Sequence, residues 1–229
     1  VEMSAPHGLY ATPFTLTLTH PAPAAAIRYT TDGSAPTLEN GEAYAGPLTI
    51  ATTTPLRAAA FKPGYRRSPV ATQTYVFPAG VAAQPDDPVG WPQRWGTHPI
   101  SIGEYEAGTP VQPDYGMDAK ITADPQYGPQ LTGALAALPS ISLVMDVGDF
   151  TSLHTSPQDR GVHTERPVSV EMFYPDGEQA GFQVDAGVRI QGGAGRWEFM
   201  PKHSFRLFFK QQYGASKLNH ALFPDSPLT

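Results

Sequence analysis

The stretch Gly192-Gly193-Ala194-Gly195-Arg196, followed by Lys202, has the residue types best suited to chemistry in this chain. Glycines let backbone N–H groups close on an anion. The order strand, Gly loop, strand, lysine can cover a nucleotide's phosphates. Charge agrees with that reading. From Gly187 to Lys210 the cations are Arg189, Arg196, Lys202, Arg206 and Lys210, against Glu198 alone. The candidate nucleotide-binding residues are therefore Arg189, Gly192, Gly193, Gly195, Arg196, Lys202 and Arg206. The spacing lacks the third glycine of GxGxxG, and glycines between antiparallel strands also serve as plain bends.

Two carboxylates, Asp146 and Asp149, follow the apolar run Ile141 to Met145. Carboxylates at a strand end can hold a cation or move a proton; they equally make a turn and cap a helix. The seven histidines are scattered without ligand spacing and there is no cysteine, so the pattern supports no metal site and excludes disulfides and a thiol nucleophile.

The elements that must position these groups are mostly strands. Phe14 to Thr19 alternates apolar residues with threonine, as one half-buried strand does. Ile27 to Thr31 runs into the turn Asp32-Gly33-Ser34, and short runs follow at Pro47 to Ile50, Leu56 to Phe61 and Val70 to Val76. Strands this short and evenly spaced predict an antiparallel sandwich over residues 1–77. Residues 78–139 read as a connector. Prolines 78, 85, 88, 92 and 99 imply an extended spacer, Trp91 and Trp95 imply packing against a domain, and Leu131 to Leu138 predicts a short helix stopped by Pro139. From 140 onward a meander is expected. Val168, Val170 and Met172 share a face, and Pro175-Asp176-Gly177 turns the chain. Phe182, Val184, Ala186, Val188 and Ile190 then alternate with polar residues, and Phe205, Leu207 and Phe209 face inward.

Composition fits this architecture. With 25 Pro and 22 Gly among 229 residues and 40% hydrophobics, the chain is turn-rich yet able to build a core. A formal charge of −6 argues against a nucleic-acid partner, and no apolar run is long enough to span a membrane as a helix.

Ile27 to Thr37 (IRYTTDGSAPT), Tyr44-Ala45-Gly46-Pro47, Thr52 to Ala60 and Thr74-Tyr75 resemble the Ig-like module at the C-terminus of chitobiases and hexosaminidases. That resemblance implies an accessory β-sandwich of an exported bacterial protein. Asp32, Tyr44 and Tyr65 then become sugar-contact candidates, since aromatic faces stack on sugar rings, with Trp91 of the connector as a third aromatic; turn chemistry and core packing are the competing roles. Further on, Glu165 to Glu171, Ala186 to Gly193, Pro201 to Phe209 and Tyr213-Gly214 through Leu222-Phe223 resemble the N-terminal part of spore-coat CotH-type domains. Members of that family are atypical kinases that phosphorylate Ser with ATP and a divalent metal. The resemblance implies that Lys202 meets phosphate oxygens, with Arg189 and the Gly loop nearby.

The fold expected is therefore mostly β: an Ig-like sandwich, a Pro-rich connector, and an α+β antiparallel sheet like the N-terminal lobe of an atypical kinase. By the same resemblance, the catalytic and metal-binding carboxylates follow the matched region. We accordingly expect this chain to be part of a longer one and catalytically silent by itself. The expected function is an exported or cell-surface structural and interaction protein, with protein partners in an envelope or extracellular assembly. The alternatives are the front half of a CotH-like Ser kinase, which would use ATP with Mg²⁺ or Mn²⁺, and a carbohydrate-binding accessory protein.

Overall fold

The computed structural model describes residues 1–101, 103–175, 179–197 and 199–222. The turn expected at Asp176-Gly177, the lone acid Glu198 and Phe223 lie outside these residues.

The first unit holds nine short strands: β1 (Glu2–Met3), β2 (Gly8–Leu9), β3 (Phe14–Leu16), β4 (Leu18–Thr19), β5 (Ala26–Thr30), β6 (Glu42–Ala43), β7 (Leu48–Ile50), β8 (Thr54–Phe61) and β9 (Ala71–Val76). Five form a sheet in the order β2-β9-β8-β5-β6, while β3 pairs with β7 and β1 with β4. The single strand expected over Phe14 to Thr19 is two. Thr17 separates β3, facing β7, from β4, facing β1, so the unbroken alternation serves two different partners. Leu16, Leu18, Ile50, Leu56, Ala58, Tyr75 and Phe77 make the core between the layers, as expected of an Ig-like β-rich fold.

The chain leaves β9 not as an extended spacer but as a short helix, α1 (Pro78–Ala82), with proline in its first turn, where the missing N–H costs nothing. Two more helices follow: α2 (Ala119–Thr122) and α3 (Gly128–Ala136). The last begins three residues before the predicted Leu131 and stops short of Leu138.

The second unit is the four-stranded antiparallel sheet β10-β11-β12-β13, from β10 (Ser140–Val144), β11 (Arg166–Phe173), β12 (Phe182–Gln191) and β13 (Ser204–Phe208). A helix absent from the sequence reading, α4 (Val147–Thr155), covers the inner face. Asp146 caps it, its carboxylate accepting from the N–H groups of Gly148 and Asp149. Asp149 pairs with Arg166 at 3.2 Å, so both carboxylates of the Asp146/Asp149 pair are structural here. Leu153, Val168, Val170, Ala186, Val188 and Ile190 form the second core, with Phe205 and Leu207 against it, as the alternation predicts.

The two units are in direct contact. The outer face of the second sheet meets β9 and the Asp32-Gly33-Ser34 turn of the first. Asp32 builds that turn by accepting from both the N–H and the hydroxyl of Ser34. Gly33 has φ +83°, and a Cβ on it would stand 2.2 Å from the carbonyl oxygen of Met145. Both the backbone angle and the docking demand glycine. Gly33→Ala therefore strains the turn and pushes the units apart. The expected loss is about 2–4 kcal/mol, seen as a Tm lowered by several degrees in a thermal melt.

Candidate functional site

Alternation on β11, β12 and β13 leaves one polar face outside the sheet. It carries Glu165, Ser169 and Glu171 on β11 and its lead-in, Asp185, Gly187 and Arg189 on β12, and Arg206 and Phe208 on β13. The register opposes Ser169 to Asp185, and Arg189 to Arg206. One half of this face is covered by the first unit and the other is not.

In the covered half Glu171 is completely buried. Its carboxylate accepts from the Thr74 N–H at 3.2 Å and the Thr74 hydroxyl at 2.5 Å. His7 Nδ1 lies 2.7 Å away and, against an ionised carboxylate, must carry the proton. Strand β2 reaches only Tyr75 and Val76 of β9, so the N–H of Thr74, next in line, goes to Glu171. The Thr74 hydroxyl also meets that of Ser142 at 2.7 Å. Beside this group, burial pushes the Asp185 carboxyl up, against the opposing charge of Arg57, whose guanidinium donates to the Gly33 carbonyl.

In the open half, Lys210 Nζ sits 2.8 Å from both oxygens of the buried Glu165 carboxylate, and Arg189 Nε approaches at 3.2 Å without hydrogen-bond alignment. Burial alone would raise the Glu165 carboxyl. Hydrogen bonds from Lys210 and Tyr213, with the charges of Lys210 and Arg189, outweigh it and hold the group below the usual carboxylate range. Gly187 is bare because a Cβ there would stand 2.5 Å from the Tyr213 ring and 2.8 Å from Glu165. The guanidinium of Arg189 covers the Phe208 ring at 3.9 Å, and Arg206 and Lys210 flank it at 5.2 and 5.1 Å.

The structure brings only part of the predicted nucleotide set together. Arg189 and Arg206 are neighbours. Arg196 is buried beneath the Gly loop and donates to the carbonyls of Gly192, Pro157, Asp159 and Ile190, so its fork pins the loop instead of facing a ligand. Lys202 is 69% exposed and pairs with Asp114 at 3.0 Å. Gly192 has φ +121°, whereas Gly193 and Gly195 do not lie in the left-handed region and nothing crowds them. Glu165, Phe208, Lys210 and Tyr213 are not legible as a group in the sequence. Their meeting depends on the register of β12 and β13 and on a turn after Lys210, and only the excess of cations signalled it.

The sugar-contact candidates stand in three different settings. Tyr44 packs on the first core and its hydroxyl accepts from the Leu18 N–H. Tyr65 is exposed with Lys62 over its ring, and Trp91 lies edge-on to Tyr115 and Phe150. No ring contact joins these three among the described residues. Trp95 is buried, donates its indole N–H to the Pro201 carbonyl, and stacks on His154 at 4.3 Å, which fastens the connector to α4 and the Gly-loop strand.

The fold is that of an Ig-like, β-rich unit joined to a second antiparallel sheet. Residues 5–72 match the family model of the chitobiase/beta-hexosaminidase C-terminal domain. No curated protein and no solved structure matches the chain. Among the described residues no helix is long and apolar enough to cross a membrane, and no group of three or more His, Asp or Glu gathers to hold a metal ion.

Glu171→Ala leaves the Thr74 N–H buried without its acceptor, and should lower stability by about 3 kcal/mol in denaturant unfolding, with Glu171→Gln recovering part of it. Separately, burial depresses His154 to about 4 from its ordinary 6.5. Between those values the unfolded chain takes a proton that the folded chain refuses. Stability therefore falls as pH drops from 6.5 to about 4, by roughly 3 kcal/mol from this group, and levels off below. His154→Phe should flatten that part of the pH–stability curve relative to the parent.

Proposed function

We propose that this chain is an exported or cell-surface interaction protein in which the Ig-like module is a fixed platform for the second sheet. The carrying observation is the buried Glu171 carboxylate, held by Thr74 and His7 across the junction. Donors from one unit around a charge of the other favour a single rigid body over beads on a flexible string. In that role the chain presents the uncovered half of the outer face to a partner outside the cell or in its envelope. The match of the first unit to a chitobiase/beta-hexosaminidase domain supports a carbohydrate-related setting for such a partner.

A second reading, descent from a CotH-like kinase with a nucleotide under the Gly loop, draws support from Gly195, which has neither a left-handed φ nor a crowding neighbour, so close approach of a ligand would explain it; Gly193, at φ −104° and ψ −93°, is explained by the turn itself. Against it, Lys202 is paired with Asp114 and Arg196 with carbonyls, so the loop's two cations are engaged inside the chain.

Calorimetry with ATP and Mg²⁺ or Mn²⁺, on the chain and on Lys202→Ala, separates the readings. The interaction reading expects no nucleotide binding by either folded protein. Micromolar binding that disappears in the variant overturns it in favour of the kinase reading.

A further inference from the structure

Resting on the interaction reading, we propose that the outer face around Phe208 binds the acidic groups of an anionic polysaccharide. Arg189 and Arg206 are direct cross-strand partners on one face. Like charges so opposed repel unless something negative lies over them. Among the described residues the open half of this face has one carboxylate, Glu165, and that is already held by Lys210, Arg189 and Tyr213. Arg206 is exposed and forms no ion pair or hydrogen bond with the described residues. Two guanidinium forks side by side, with the Lys210 ammonium across the Phe208 ring, present donors matched to carboxylate, sulfate or phosphate oxygens.

The shape of the surface selects among anions. Arg206 is exposed and Phe208 and Lys210 are half-buried along the sheet surface, which suits a chain lying across it. The backbones of the two arginines stand on adjacent strands about 4.8 Å apart and both guanidiniums gather at one ring, so neighbouring anionic groups of a polymer can be met together. Duplex DNA carries a charge every ~1.7 Å and calls for a broader basic surface. Arg189 already covers one face of Phe208, which takes that face from a nucleobase.

The test titrates the chain with polygalacturonate and with a heparin-type sulfated oligosaccharide, alongside single-stranded DNA and ATP, at several salt concentrations. Arg206→Gln is the informative variant, because that side chain is exposed and holds no ion pair or hydrogen bond among the described residues. Arg66→Gln, exposed on the first unit, is the charge-matched control. We expect salt-sensitive binding of a polysaccharide, weakened about tenfold by Arg206→Gln and unchanged by Arg66→Gln. Equal loss in both variants, no polysaccharide binding at low salt, or tighter binding of DNA each overturns the proposal. ATP binding lost in Lys202→Ala overturns the interaction reading beneath it. A silent polysaccharide titration without ATP binding sinks this inference alone.

Discussion

A carboxylate with no solvent exposure must be answered by donors, and Glu171 is answered by donors that all belong to the other structural unit. That requirement fixes a great deal. It sets the height of β9 against β11, because both the backbone and the hydroxyl of Thr74 are used. It ties down the segment that carries His7, whose ring also lies 5.5 Å from Phe173. It brings the Asp32-Gly33-Ser34 turn against Met145, where only a residue without a side chain fits. A junction made this way is less tolerant than an apolar one. Greasy surfaces can slide and repack, whereas a buried charge that loses its donors has no cheap alternative position.

The same junction divides the sheet's outer face. Seen from β12 alone, Gln183, Asp185, Gly187, Arg189 and Gln191 are simply the polar side of an amphipathic strand. In the folded chain they have separate fates. Asp185 lies half-buried near Arg57, Gly187 is bare so that Glu165 and Tyr213 can lie over it, and Arg189 closes onto Phe208. Polar alternation specifies which way a side chain points, and it does not specify whether water or another part of the chain is waiting there.

This is why the sequence was informative in some places and mute in others. The inner faces of β11, β12 and β13 were legible, since Val168, Val170, Ala186, Val188 and Ile190 follow period two and are buried together. The motif IRYTTDGSAPT marked the first module for the same kind of reason: turn residues and alternating apolar residues act locally. The break at Thr17 was invisible, because two strands with different partners keep one alternation. Lys202 and Arg196 stand out in the sequence for their charge, yet the acceptors that engage Arg196 are backbone carbonyls, which leave no trace in residue types. Helix α4 was hidden because its nine residues, VGDFTSLHT, include no long apolar stripe, and its Asp146 cap is equally at home in a turn. Glu171 and Thr74 were hidden because 97 positions separate them.

The placement of acids and bases also bears on how a chain of formal charge −6 can present a cationic face. Three carboxylates of the second sheet, Glu165, Glu171 and Asp185, are buried or half-buried, and each is turned toward donors inside the protein. Charges held that way are largely answered locally. Arg206 stands at the surface, where its field reaches about one Debye length, ~8–10 Å, before salt screens it. A ligand group arriving there meets the near cations first and the distant acids hardly at all. Net charge decides how the molecule drifts through solution, and the arrangement on this one sheet decides what it can hold once it arrives.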